Sequence, residues 1–447
     1  MMQGGVDYNA KLYLQASLNN SDAIISSRIN SLVVNLKKYG LFNKIKALWP
    51  LEGSTVAKHT FNLINPSTFN LTFVGSGTHD GLGYTGASGV YAITGLIPAD
   101  TLVKNSSTLF AFSCSNTKNS GVAIGCRGPS PYNALRIYLK DTTNAMYNSV
   151  NDTYAGGAQI VENADGLHIV SRINGYGFSV FRNTFPYFIL SRASTSTPLV
   201  ELYLSSQNNN GSQNSSDNRK YAMYGVADGL TGVEIKILAK IINEYITEKG
   251  YTCSSISNPT IFYGDSITIG SGASIPAKRW TSLVSVDQGY YEYNLGVAGS
   301  QLQDTLPLAL VPGCMIADMA LGNYTDEHML FMAYGTNDVR NQYTTNEIFY
   351  TQYNKVLNDL INIKGWPTNK IKLISSFHIS NFLYGNIAKQ NSIDATINSL
   401  ANTYGIQYFN ARQAMIDGGG DALLNVDGVH PTDVGYQVIA DYINLNL

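Results

Sequence analysis

The sequence predicts a multidomain chain: a short helical lead-in, a β-sandwich, and a C-terminal α/β/α three-layer domain on a five-stranded parallel sheet. Three observations carry that reading. The chain has 447 residues, too many for one ordinary core. Residues 51–228 alternate short β-rich runs with Gly, Ser, Asn and Pro clusters, the spacing of a sandwich. From residue 259 onward strand and helix patterns alternate, which implies a parallel sheet between helical layers. The predicted divisions are 1–50 for a polar lead and helical segment, 51–250 for the sandwich, 251–258 for a linker and 259–447 for the α/β domain.

Residues 1–20 read as a polar lead, poorly ordered or bound to a partner. A helix follows Asp22, with Ile25, Ile29, Leu32, Val33 and Leu36 on one face and Gly40 placed to end it. Phe42, Ile45, Leu48 and Trp49 suggest a second short helix stopped by Pro50. Helical residues 22–49 suit trimerisation or packing on the sandwich, and both stay open. In the sandwich, strands are expected at Phe69–Val74, Thr108–Ser113, Ala134–Leu139, Leu167–Ile173, Phe178–Phe181 and Leu199–Leu204. Gln207–Lys220, rich in Asn and Ser, reads as an exposed loop. The capping box Thr231-x-x-Glu234 opens a closing helix with Leu238, Ile241, Ile242, Tyr245 and Ile246 inward, ended by Gly250.

In the last domain, Thr260–Tyr263, Tyr291–Asn294, His328–Tyr334, Ile371–Ser375 and Ile406–Phe409 read as buried strands. One intervening helix begins at a capping box Thr344-x-x-Glu347, with Phe349, Tyr353, Val356, Leu357 and Leu360 inward. Another carries Ile393, Ile397, Leu400 and Tyr404. In such sheets ligands bind at the carboxyl ends of the strands.

Composition narrows the function. Hydrophobic residues make up 44% of the chain and charged residues only 13%, with 30 tyrosines. The net charge of -2 leaves no electrostatic footprint for nucleic acid. No apolar run is long enough to span a membrane, and the opening Met1–Asp7 lacks the features of a signal peptide. Cys114, Cys126, Cys253 and Cys314 show no metal-ligand spacing; Cys114 and Cys126 can pair across a hairpin, or all four can stay reduced. No cofactor or metal is expected. Gly81-Leu82-Gly83-Tyr84-Thr85-Gly86 fits G-x-G-x-x-G, yet no helix pattern follows it, so it reads as a turn-rich loop.

Four blocks carry the chemistry. They are Tyr263-Gly264-Asp265-Ser266, Asn294-Leu295-Gly296-Val297-Ala298-Gly299, Gly335-Thr336-Asn337-Asp338 and Asp427-Gly428-Val429-His430. The first three follow successive predicted strands; the last lies on a loop before the final helix. All would meet at one sheet edge. Acyl transfer needs a nucleophile, a base and donors where negative charge develops. Ser266 supplies the hydroxyl, His430 the base, and Asp427 the acceptor that fixes the imidazole tautomer. The N–H groups of Ser266 and Gly299, with the Asn337 amide, supply the oxyanion hole. His378 follows the fourth strand at the same edge and reads as a packed loop histidine, with a pocket-lining role as the alternative; Asp338 reads as a structural carboxylate, with bracing of the third block as the alternative.

Those blocks resemble the motifs of the SGNH (GDSL-type) hydrolases over residues 259–447. The resemblance implies catalysis by Ser266, Gly299, Asn337 and His430, with Asp427 at the D-x-x-H position. Gly296 is the alternative to Gly299, which is preferred for its distance from Asn294. More loosely, Ile45 through Gly250 is similar to laminin-G/concanavalin-like jelly-roll domains of phage tail and virion proteins. That similarity rests on Ala47-Leu48-Trp49-Pro50-Leu51, Asn62-Leu63-Ile64-Asn65-Pro66, Leu71-Thr72-Phe73-Val74-Gly75 and Gly225-Val226-Ala227-Asp228-Gly229-Leu230. It implies a sugar-binding or particle-assembly module.

Together these expectations describe a serine esterase that removes O-acetyl or other O-acyl groups from a polysaccharide. It would be carried on a virion or phage tail, or otherwise be cytoplasmic, as a homo-oligomer or beside other virion proteins. Two other readings remain: a non-enzymatic receptor-binding or structural virion protein with a retained esterase fold, and a lipid or thioester hydrolase. No substrate-binding residue is identifiable from sequence.

Overall fold

The computed structural model describes residues 5–129, 133–153, 159–161, 163–252, 258–302, 311–312, 323–325 and 327–447. It divides into two compact units, Met1–Thr184 with Arg192–Ser254 and Phe185–Ser191 with Ser255–Leu447.

In the first unit two sheets are built almost wholly from antiparallel pairs. One runs in the order Phe178–Arg182, Gly166–Arg172, Ser107–Ser113, Lys220–Ala227, Gly83–Thr85 and Thr78–Asp80, with Ile45–Trp49 also paired to Lys220–Ala227. The other runs Ser149–Asp152, Ala134–Tyr138, Val122–Arg127, Tyr203–Leu204, Tyr91–Ile93 and Thr72–Val74. Ser107–Ser113 packs against Ala134–Tyr138 and Ser149–Asp152. Helices cover the first sheet: Ile29, Leu32 and Leu36 of Ala23–Lys38 join Leu238 and Ile242 of Gly232–Glu248 in one cluster with Phe110, Phe112 and Ile169. Thr231 and Glu234 form the expected capping box.

Several expectations need correction here. Ile45–Trp49 is a strand, because its backbone finds an antiparallel partner in Tyr224–Ala227. The polar lead contains a helix, Tyr8–Ala16, capped by Asp7 and anchored by buried Ala10, Tyr13 and Leu14. Gln207–Asn209 and Ser212–Asn214 form a hairpin inside the stretch read as a loop. The runs expected at 69–74 and 199–204 are shorter, Thr72–Val74 and Tyr203–Leu204. Gly83–Thr85 belongs to a hairpin with Thr78–Asp80, so Gly81–Gly86 opens no helix. Cys114 and Cys126 are not bridged to each other, and Cys126 is buried; Cys253, Cys314 and most of the expected linker lie outside the described residues.

The second unit holds a five-stranded parallel sheet. Its strands are β1 (Pro259–Gly264), β2 (Tyr291–Gly296), β3 (Met329–Ala333), β4 (Ile371–Ile374) and β5 (Gln407–Phe409), ordered β2-β1-β3-β4-β5. On one face Phe262, Phe331 and Phe409 cluster with Trp280 and Val284 of helix Trp280–Gln288, Met415 of Ala411–Gly418 and Tyr436 and Ile439 of Asp433–Asn446. Phe262 and Phe331 stack with centroids 4.9 Å apart, a geometry that adds to the area they bury. Helices Asn346–Asn358 and Ile387–Tyr404 pack on each other, and the latter covers β4 and β5. The first of these is capped by Thr345, whose hydroxyl accepts the Ile348 N–H, rather than by Thr344. Among the described residues no helix is long and apolar enough to cross a membrane.

Candidate active site

Register places the blocks. Gly296, Gly264, Ala333, Ile374 and Phe409 stand at one level across β2, β1, β3, β4 and β5. Ser266, Gly299, Asn337 and His378 therefore all emerge within a few residues beyond the same edge. Gly264 is required for close approach: a Cβ there would lie 2.3 Å from Thr268 Oγ1 and 2.6 Å from Ala333 O. The chain turns at once into the short helix Ser266–Ile269. Asp265 is its N-cap, and Oδ1 accepts the Ile267 N–H at 2.9 Å, a contact type worth about 1 kcal/mol. As the first helical residue, Ser266 has an N–H without an intrahelical acceptor.

The acid and base arrive on a turn between Leu423 and Asp433. His430 Nε2 lies 2.9 Å from Ser266 Oγ, and His430 Nδ1 lies 2.6 Å from Asp427 Oδ2. Asp427 Oδ1 accepts the N–H groups of Val429 and His430 at 2.9 and 3.0 Å. Burial acts to raise the Asp427 carboxyl, but its hydrogen bonds to the His430 ring and to these two amides win and hold it down at about 2. An ionised Asp427 assigns the Nδ1–H tautomer, leaving Nε2 to accept from the serine. Asn425 secures the turn, its Nδ2 donating to Pro431 O at 2.9 Å and to His430 O at 3.2 Å.

Asn337 Nδ2 donates to Ser300 O at 3.1 Å and sits 3.4 Å from Asp265 Oδ2. The first bond ties the amide to the residue after Gly299, the second to the residue before Ser266. The longer contact is weak, so one amide hydrogen is available to a ligand. Of the two glycines weighed, Gly296 donates its N–H to Asn294 Oδ1 at 3.0 Å. Gly299, at φ 74°, finds no acceptor among the described residues. Asn294 is buried, with Nδ2 bonded to Thr268 O and Thr281 Oγ1.

Two carboxylates beneath the site behave unlike Asp427. Burial pushes Asp265 up to about 6, with the Ile267 N–H and the charge of His430 pulling the other way. Burial also pushes Asp338 up to about 7, against the Leu302 N–H and assisted by the charge of Asp265. Asp338 accepts from Leu302 N–H at 3.2 Å, in keeping with a structural role. His378 pairs with Asp421 at 2.7 Å, outside the Ser266 constellation. Sequence reasoning passed over Asp265 and Ser300 as supports for Asn337; the cap position of Asp265, immediately before the serine, was the available signal. Among the described residues no group of three or more His, Cys, Asp or Glu side chains is placed to hold a metal.

A nucleophile, a base with an ionised partner, and donors that converge on the nucleophile are what ester hydrolysis needs. Residues 262–438 match the GDSL-like Lipase/Acylhydrolase family. The C-terminal unit thus carries a GDSL-like acylhydrolase domain. No curated protein matches the chain. Among solved structures, it is similar to a carbohydrate acetylesterase from Sinorhizobium meliloti, with 17% identity, 42% of this chain and 98% of that one covered, and a TM-score of 0.36. It is likewise similar to a lipase/acylhydrolase from Enterococcus faecalis, at 19% identity over 42% and 94% of the two chains with a TM-score of 0.34. The aryl esterase of M. smegmatis gives 15% identity over 42% and 98%, with a TM-score of 0.35. Such scores identify no substrate.

Proposed function

We propose that this chain is a serine esterase that removes O-acyl groups, most simply O-acetyl, from a carbohydrate. The observation that carries the reading is the unbroken relay from Asp427 through His430 to Ser266 Oγ, at 2.6 and 2.9 Å. Nε2 takes the Ser266 proton as Oγ attacks the acyl carbonyl, and the carbonyl electrons move onto oxygen. The N–H groups of Ser266 and Gly299 and the free amide hydrogen of Asn337 receive that oxyanion. Collapse breaks the bond to the sugar oxygen, which takes the proton from His430 and leaves as an alcohol. Water then repeats the sequence on the acyl-enzyme, releasing the carboxylic acid and restoring the serine.

The low share of charged residues, 13%, with Asn, Ser and Thr prominent in the loops, favours a hydroxyl-rich leaving group over a lipid. The proposed setting is a phage tail or other virion particle, alone as an oligomer or with other particle proteins, where the two-sheet unit would hold the polysaccharide and raise its local concentration. Acetate release from acetylated xylan or bacterial capsule tests the reading. The Ser266→Ala variant is expected to lose about 10⁶-fold in kcat; turnover of a small acetate ester at the wild-type rate would refute the mechanism.

A further inference from the structure

We propose that the first unit carries a binding groove for a neutral oligosaccharide, formed by three loops that meet far from one another in sequence. The groove has a volume of about 540 Å³, and every residue lining it is Ser, Asn, Gln or Gly. Residues 88–89, 119–120, 213–216 and 218 supply it. It contains no charged side chain and no apolar one, so neither an ion nor a hydrophobic ligand finds a complement there. What matches such a lining is an uncharged molecule that offers donors and acceptors at each position, as sugar hydroxyls do.

The groove is already organised. Gly89 N–H donates to Ser216 Oγ at 3.1 Å, Asn119 Nδ2 to Asn218 Oδ1 at 2.7 Å, and Gln213 Nε2 to Ser206 Oγ and Ser216 Oγ, both at 2.8 Å. These bonds cross-link all three loops and fix the amide planes before a ligand arrives, which lowers the ordering cost of binding. They also leave defined groups over: Gln213 Oε1 as an acceptor, and the amide N–H groups of Asn214 and Asn218 as donors, none with a partner among the described residues. Ser215 holds a left-handed φ of 56°, an unfavourable conformation for a non-glycine residue that directs from observed strain toward a functional loop.

Recognition falls to the side-chain amides and hydroxyls that line the groove. The groove rests on the proposed role of the two-sheet unit as holder of a polysaccharide, while its binding test is separate from what the hydrolase domain cleaves.

Affinity electrophoresis of the full chain through gels containing dextran, mannan, xylan or alginate tests this. Migration should slow in at least one of the three neutral gels. Asn218→Ala, which removes a leftover amide donor with the acceptor of Asn119, and Gln213→Ala, which removes the Oε1 acceptor with the bonds to Ser206 and Ser216, should each weaken that retardation by about tenfold. Unchanged hydrolysis of a small acetate ester and an unchanged melting midpoint certify that each variant folds. Absence of retardation in every neutral gel, retardation by alginate alone, or retardation that both folded variants retain would overturn the proposal. So would binding of a neutral Gly/Ser peptide in place of the glycans.

Discussion

Two histidine–aspartate pairs stand on the rim of the same sheet, and only one of them faces a nucleophile. His430 and Asp427 are joined at 2.6 Å, His378 and Asp421 at 2.7 Å. The difference is which ring nitrogen meets the acid. His430 gives Nδ1 to Asp427 and turns Nε2 to Ser266 Oγ. His378 gives Nε2 to Asp421, while its Nδ1 is buried without a partner among the described residues. A carboxylate beside an imidazole therefore decides little. The far nitrogen decides, because it alone can exchange a proton with something else.

The largest expected contrast comes from neutralising each acid in turn. Asp427→Asn should cut kcat on a small acetate ester by about 10³–10⁴-fold, since the Nδ1–H tautomer loses its acceptor. Asp421→Asn, on an exposed side chain, should stay within about twofold. Equal losses in steady-state assays would mean that the second pair takes part in the chemistry.

Asn337→Ala sharpens the comparison further. It leaves the relay intact and removes one donor from the place where charge develops, so kcat should fall by about 10²–10³-fold with KM little changed. A rise in KM alone would assign the amide to ground-state binding.

Asp338→Asn gives the smallest effect. Asp338 is held up at about 7 in the folded chain, above the unfolded value near 3.9. Between those values the native state holds more protons than the unfolded one. Its contribution is therefore fully present below about pH 4 and is lost as pH rises through about 7. Asp427, held at about 2, contributes with the opposite sign, losing its share only as pH falls toward 2. The thermal midpoint of the variant should decline less than that of wild type between pH 5 and pH 8. Parallel slopes would show that Asp338 ionises normally.

Much of the hydrolase domain was legible because buried parallel strands are continuous apolar runs flanked by helical periodicity. All five strands fall within about two residues of their predicted spans. Ser266 and Asn337 were legible for a different reason, since each sits a few residues beyond a strand whose end was itself readable, whereas Asp427 and His430 were legible from their D-x-x-H spacing on a loop before the final helix. The failures are equally physical. Phe42, Ile45, Leu48 and Trp49 mimic a helical face, whereas Ile45–Trp49 is a strand whose partner lies at the far end of the unit's sequence. Gln207–Asn209 and Ser212–Asn214 are wholly polar and show no apolar alternation. The Asn210-Gly211 turn, with φ of 50° and 91°, was the signal to weigh. Nothing local joins His378 to Asp421, so that pairing was out of reach.

The turn from Asp427 to His430 is closed by its own amides, with Oδ1 of the aspartate taking two N–H groups and Oδ2 the imidazole. The proton acceptor and its anchor thus travel as one cassette. A rearrangement that shifts this cassette silences the enzyme outright while its β-sheet persists, so partial displacement should yield a mixture of working and idle molecules instead of a uniformly slower population.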